Sequence, residues 1–167
     1  SWTEVTNMPT GLEGQGINGT QTAAAVFGGY SGSLVTTGLL YDGTNWTSAP
    51  SLPTGASTFS SSGTQTEGIL FGLAAPGMVT NTLSFDGTGF TELNDLSTAR
   101  TGGGGPTNAA GTDKSAILAA GYNGSAYVSV TEEFSYPSGP SFLNEGDMWY
   151  NSGSGALKAY GAAAGIP

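Results

Sequence analysis

Trp46-Thr47-Ser48-Ala49-Pro50-Ser51-Leu52-Pro53-Thr54-Gly55 decides how the chain is read, because it occurs in three versions. Residues 2–11, WTEVTNMPTG, stand 44 positions before it, and residues 90–99, FTELNDLSTA, stand 44 positions after it. The correspondence runs on into the flanking sequence. Gly19-Thr20-Gln21-Thr22 returns as Gly63-Thr64-Gln65-Thr66, and Tyr41-Asp42-Gly43-Thr44 as Phe85-Asp86-Gly87-Thr88, at the same spacing of 44. A fixed period of this size marks one supersecondary unit used repeatedly.

Within a period the residues alternate between strand and turn chemistry. Met8-Pro9-Thr10-Gly11 is a stop, since Pro removes a ladder donor and Gly admits positive φ. Residues 12–18 give a weak strand signal. Thr22–Gly29 (TAAAVFGG) is a small-residue apolar run, suited to a strand buried on both faces. Tyr30–Ser33 reads as a loop and Leu34–Tyr41 as a strand, and Asp42-Gly43 is a hairpin turn signal leading to Trp46. One period therefore predicts a four-stranded antiparallel meander. The second unit repeats it, with strands over Gly68–Gly72 and Met78–Phe85. The third carries an insertion at Gly102–Gly105, so that Gly63 aligns with Gly111, 48 positions on. Its later strands are Ile117–Tyr122 and Val130–Tyr136. Units at about 10–48, 54–92 and 98–136 follow, with Trp2–Val5 an orphan outer strand. After Pro137-Ser138-Gly139-Pro140 the period ends. Glu145–Asn151 and Ala156–Tyr160 predict one further hairpin, and 161–167 a flexible tail, so 137–167 is a linker, hairpin and tail.

Composition supports an all-β chain and excludes several functions. Of 167 residues, 29 are Gly and only 9% are charged, which disfavours long helices. The seventeen aromatics recur at fixed places, unlike a disordered chain. With a net charge of −9 and Arg100, Lys114 and Lys158 as its only cations, the chain cannot neutralise a run of phosphates. Nucleic-acid binding and attraction to anionic membranes are excluded on this ground. No run approaches the roughly 18 apolar residues of a membrane-spanning helix, so no membrane insertion is expected. The absence of Cys and His removes thiol chemistry, cysteine–zinc sites and the commonest general base. A chain opening on Ser1 rather than Met is expected to be processed or part of a longer polypeptide.

The landmarks Gly28-Gly29-Tyr30, then Tyr41-Asp42, then Trp46 follow the order of a kelch repeat, and residues 1–136 resemble that family. Gly121-Tyr122 and Thr131-Glu132-Glu133-Phe134 continue the pattern, while Gly72-Leu73 departs from it. The resemblance implies β-propeller blades, three per chain, plus the C-terminal hairpin segment. Propellers close with about four to eight blades, so three units and an orphan strand are expected not to close as a lone chain. Further copies of the chain, or further repeats of a longer one, are the implied partners. The wording FDGTGFTELNDLSTAR is similar to kelch-like repeats in structural proteins of marine tailed bacteriophages. The segment GDMWYNSGSGALKAYG is similar to short hairpin segments of phage tail-fibre and other virion proteins.

Each candidate site has a plainer structural role. Asp42-Gly43 and Asp86-Gly87 each offer one carboxylate, too few for a calcium site, and read as turns. Glu132 and Glu133 point to opposite faces of a strand, so they cannot flank one glycosidic bond and read as solvated positions. Gly102–Gly105 lacks the Gly-Lys-Ser/Thr of a phosphate loop. Trp2, Trp46 and Phe90 share one period and read as packing residues between units. The sequons at Asn18, Asn45 and Asn123 carry no meaning in a bacterial virus and become live glycosylation acceptors in another host setting. The loops after the second strand of each unit, with Tyr30, Ser31 and Ser33 in the first and Tyr122, Asn123 and Tyr127 in the third, are the candidate binding surface.

No catalytic residue, cofactor or metal is expected. The implied function is a non-enzymatic virion structural protein (tail fibre, appendage or capsid-decoration component) located in the extracellular particle. Other virion proteins and host-surface glycan are its expected contacts. A kelch interaction module outside a virion is the alternative. A sugar-acting propeller enzyme ranks below it, and a copper oxidase lacks its His and Cys ligands.

Overall fold

The computed structural model describes residues 1–101, 109–136, 148–151 and 156–159. Two compact units divide the chain, Ser1–Ser135 and Tyr136–Pro167. All regular structure among the described residues is strand, and every pairing is antiparallel.

The first sheet is β1 (Gly16–Thr20), β2 (Ala23–Phe27), β3 (Gly38–Tyr41) and β4 (Trp46–Ser48), in that order. The second repeats it with β5 (Ser60–Gly63), β6 (Gly68–Phe71), β7 (Thr82–Phe85) and β8 (Phe90–Leu93). The third has three strands, β9 (Ala109–Gly111), β10 (Ser115–Tyr122) and β11 (Tyr127–Ser135), with β10 in the middle. In the second unit, β12 (Met148–Asn151) pairs with β13 (Ala156–Ala159), Met148 opposite Ala159. The Gly102–Gly105 insertion, the 137–140 break and the 161–167 tail lie outside the described residues.

Side-chain alternation along β6 stacks the sheets. Leu70 joins Ala25 and Phe27 of the first sheet in one buried cluster, together with Leu52, Phe59, Leu83 and Phe85. Ile69 and Phe71, on the opposite face, join Ala116 and Leu118 of the third sheet in another. Because successive strand residues point to opposite faces, the second sheet lies between the other two and β6 is buried along its whole length. β10 instead alternates, with Ala116 and Leu118 buried and Ser115, Ile117 and Ala119 exposed. The first strands of the three sheets are neighbours, β1 beside β5 and β5 beside β9. Ser61 bonds both the N–H and the C=O of Ile17, 44 residues away, at 3.1 and 3.0 Å.

The recurring Gly-Thr dipeptide builds the turn between first and second strands. A Cβ at Gly19, Gly63 or Gly111 would lie 2.1, 2.2 or 2.1 Å from the carbonyl oxygen of Ala23, Glu67 or Ser115. All three adopt positive φ, so only Gly fits. The Thr that follows caps the turn: Thr64 Oγ1 accepts from Glu67 N at 3.0 Å and Thr112 Oγ1 from Ser115 N at 3.1 Å. At the Asp-Gly turns, Asp42 Oδ1 accepts from the N–H groups of Thr44 and Asn45 at 2.8 and 2.6 Å. Asp86 Oδ1 does the same for Thr88 and Gly89 at 2.8 and 2.9 Å.

The chain departs from the sequence expectation in several places. Trp2–Val5 forms no ladder with any described strand, and Trp2 is fully exposed. The apolar alternation there is real, but a strand needs a partner edge, and Trp46 Nε1 holds Thr6 O at 3.0 Å beside the first sheet instead. β3 and β7 start at Gly38 and Thr82 rather than Leu34 and Met78. The preceding residues form loops held by Gly28 N to Thr37 O at 2.7 Å and by Val79 N to Leu73 O at 3.0 Å. The third sheet lacks a fourth strand among the described residues, and its β11 is longer than either counterpart.

Candidate functional site

Three loops connect second to third strands, and each begins with the same main-chain bridge. Glu13 pairs with Tyr30, Ser57 with Ala74 and Thr101 with Tyr122, each through two hydrogen bonds of 2.9–3.1 Å. The bridge ties the entry to a sheet to the exit of its second strand, so the loop tip beyond it projects from a fixed base. In the first loop Ser31 N donates to Ser33 O at 3.1 Å, and Tyr30, Ser31 and Ser33 are exposed. In the third, Asn123 Oδ1 accepts from Ser125 N and Ala126 N at 3.0 and 2.9 Å, closing a tight turn. Tyr122 donates its hydroxyl to Gly124 O at 3.0 Å, and its ring centroid lies 5.3 Å from that of Tyr127. Tyr127 is 83% exposed.

Tyr122, Asn123 and Tyr127 therefore share one turn of the third sheet, and Tyr30, Ser31 and Ser33 share a loop of the first. Beside Tyr30 lies a cleft of about 510 Å³, lined by Glu13, Gly14, Tyr30, Ser57 and Thr58. It offers hydroxyls, one carboxylate and an exposed phenol ring, a set able to hydrogen-bond and stack on a polyhydroxylated ligand. Among the described residues no group of three or more His, Cys, Asp or Glu side chains comes together.

The period-related aromatics occupy three different settings. Trp46 is half-buried, its ring 4.8 Å from Tyr41. Phe90 is half-buried, 5.1 Å from both Phe27 of the first sheet and Phe85 of its own. Trp2, expected to pack likewise, is fully solvated. Asn18, read only as a sequon, is buried where its Nδ2 would meet a Cβ at Gly68 at 2.2 Å.

Glu132 is a correction. It is not a solvated strand residue: its side chain is 23% exposed and forms an ion pair with Arg100, whose side chain is wholly buried. Glu132 Oε2 accepts from Ser97 N at 2.8 Å, and Arg100 Nε donates to Ala120 O at 3.2 Å. Burial alone would raise the Glu132 carboxyl, but the Ser97 amide and the Arg100 guanidinium outweigh it and hold the group below its ordinary value. Glu133, on the opposite face, is exposed. A strand of alternating parity shows that Glu132 and Glu133 diverge, but not which one turns inward. The available signal was Arg100 itself, the sole arginine, standing 44 residues after Ala56.

Asp42 and Asp86 are also held below the ordinary carboxylate value, Asp42 first by the Asn45 amide and Asp86 first by the Thr88 hydroxyl. Compared with known proteins, the chain matches no family model and no curated protein.

Proposed function

We propose that this chain is a non-enzymatic structural component of a tailed-bacteriophage virion, a fibre, appendage or decoration protein, and that its sheets are blades of a kelch-like β-propeller. Three sheets of one connectivity, each presenting its first strand to the next, support the propeller reading. The observation that carries the virion reading is the joining, in one chain, of these repeated sheets to the segment 146–161, whose strands β12 and β13 form a hairpin. The loop tips with Tyr30 and Tyr127, together with the cleft beside Tyr30, are the surface proposed to meet host glycan.

Mass spectrometry of purified virions tests the assignment. Peptides of this chain should co-purify with the particle at the abundance of its other structural proteins. Their absence from particles whose genome encodes the chain would refute it.

A further inference from the structure

We propose that the cleft beside Phe90, on the face of the second sheet that meets the first, binds a single uncharged sugar ring. This cleft shares no residue with the loop tips of Tyr30 and Tyr127, and the inference does not rest on the virion reading.

Strand parity gathers its parts. Phe85 faces Phe90 and Leu83 faces Glu92 across β7 and β8, and residues two apart on a strand share a face. Leu83, Phe90 and Glu92 therefore lie on one side of the sheet, the side whose Leu83 and Phe85 join the cluster with Ala25 and Phe27. Asn81, one residue before β7, has the same parity. The cleft measures about 410 Å³, within the range of about 300–1,000 Å³ usual for small-molecule sites. Leu73 and Val79, from the loop between β6 and β7, wall it together with Leu83 and Phe90, and Pro53 and Ala75 add to the apolar lining. Thr54, Asn81 and Glu92 are its polar members.

Two of the polar members act as a pair. Asn81 donates from Nδ2 to Glu92 Oε1. The bond holds the two side chains together and leaves Glu92 Oε2 and Asn81 Oδ1 as acceptors and one Asn81 N–H as a donor. Thr54 adds a hydroxyl, which can give or take a hydrogen bond. Glu92 and Thr54 are exposed, and Phe90 is only half-buried, so the group is open to a ligand from solvent.

Donors and acceptors mixed beside an aromatic ring match a pyranose. Its hydroxyls both give and take hydrogen bonds, and its C–H face packs on an aromatic surface. An ammonium ligand offers donors only and leaves the Asn81 N–H unmet. An anionic ligand meets Glu92 and a chain of net charge −9. An aliphatic chain would desolvate the carboxylate and return no hydrogen bond.

The period separates packing from this pair. One repeat earlier Val35 stands for Val79, Leu39 for Leu83 and Trp46 for Phe90, so these apolar places keep their kind. The polar places do not, since Thr37 stands for Asn81 and Ser48 for Glu92. Leu73 also adds a wall where the first repeat has Gly29. In that repeat the aromatic's own polar atom is already engaged, Trp46 Nε1 donating to Thr6 O. Packing residues recur with the period, whereas the amide and carboxylate belong to the second repeat and not to the first.

Titration of the isotope-labelled full chain with glucose, galactose and N-acetylglucosamine, followed by amide chemical shifts, tests the site. At least one sugar should give saturable shifts confined to Leu73–Val79 and Phe90–Glu92, with a dissociation constant on the order of 1 mM, as a single ring allows. Asn81→Thr together with Glu92→Ser installs the first repeat's residues and should weaken binding about tenfold or more, with circular dichroism and unfolding midpoint unchanged. Glu92→Gln keeps the shape and should also weaken it. Tyr30→Ala and Tyr127→Ala should leave the titration unchanged, which keeps this site apart from the loop tips. No saturable shift at the cleft with any of the three sugars, full affinity in both the Asn81→Thr/Glu92→Ser and Glu92→Gln chains, or tighter binding of glucuronate or glucosamine than of glucose would each overturn the proposal.

Discussion

Gln65 reaches out of its own sheet and donates from Nε2 to two main-chain carbonyls of the neighbouring one, Ala24 O at 3.1 Å and Tyr41 O at 2.8 Å. The contact joins two strands of the first sheet to one turn of the second, and with the Ser61–Ile17 pair it ties the two sheets in one offset. Gln21 holds the same place in the preceding repeat and is exposed. Gln65→Ala leaves two partly buried carbonyls short of a donor and is expected to cost about 1–3 kcal/mol. Gln21→Ala should stay within about 0.5 kcal/mol of the parent chain. Urea unfolding of both variants measures the difference, and equal effects would remove the clamp role from Gln65.

The Arg100–Glu132 pair replaces an apolar arrangement, since Ala56 and Leu83 hold the corresponding places one repeat earlier. Glu132→Ala strands a fully buried guanidinium and should cost about 3–5 kcal/mol. Arg100→Ala together with Glu132→Leu copies the second sheet and should recover most of that loss. A double-mutant cycle reports the coupling; additive losses would show that the pair is not a unit.

Acid should weaken the same contact. The Glu132 carboxyl is held below its ordinary value of 4.5 in the folded chain, so it favours folding above that pH. This contribution is lost as pH falls below 4.5 through the depressed folded value, because the unfolded chain then binds more protons. Asp42 and Asp86 act with the same sign from their exposed turns. Glu132→Gln should flatten the acid limb of a stability-against-pH curve measured by thermal unfolding, and a parallel curve would contradict the assignment.

Left-handed backbone positions are filled unevenly across the repeats. Thr58 has φ 52° where Gly14 has 64°, and Ala120 has φ 59° where Gly28 and Gly72 have 61° and 67°. A side chain there costs about 1–2 kcal/mol, so Thr58→Gly and Ala120→Gly should each stabilise the chain by about 0.5–1 kcal/mol after the entropy of Gly is counted. Gly63→Ala, which drives a Cβ to 2.2 Å from Glu67 O, should cost about 2 kcal/mol or more. Denaturant midpoints read all three, and a destabilised Ala120→Gly chain would contradict the strain argument.

Tyr30 and Tyr127 are the exposed rings of the candidate surface. Tyr30→Ala and Tyr127→Ala should leave stability within about 0.5 kcal/mol while lowering retention on immobilised host-surface polysaccharide. Unchanged retention would remove these loops from glycan contact.

The period made much of this legible. The two four-stranded sheets follow from alternation and turn residues, because hairpins of neighbouring strands need only local signals. What the sequence hides is relational. Trp2 holds the same place in the period as Trp46, yet a strand exists only where an edge receives it. Glu132 looks like Glu133 until the sheet that covers one face is known. The late starts of β3 and β7 reflect loops held by main-chain bonds that side-chain patterning does not encode. The loop residues Tyr30 and Tyr122 could be placed at strand ends, but not the bridges that anchor them.

The second sheet lends alternate side chains to two clusters and so has no free face, whereas β10 leaves one face to solvent. Opening is then ordered in space. The third sheet can detach while the other two stay folded, but the second cannot open without exposing both clusters. Amide hydrogens of β6 should exchange only with global unfolding, and those of β11 should exchange through a cheaper, partial opening. The middle repeat thus acts as the thermodynamic keel of the array, and the outermost one as its most readily exchanged part.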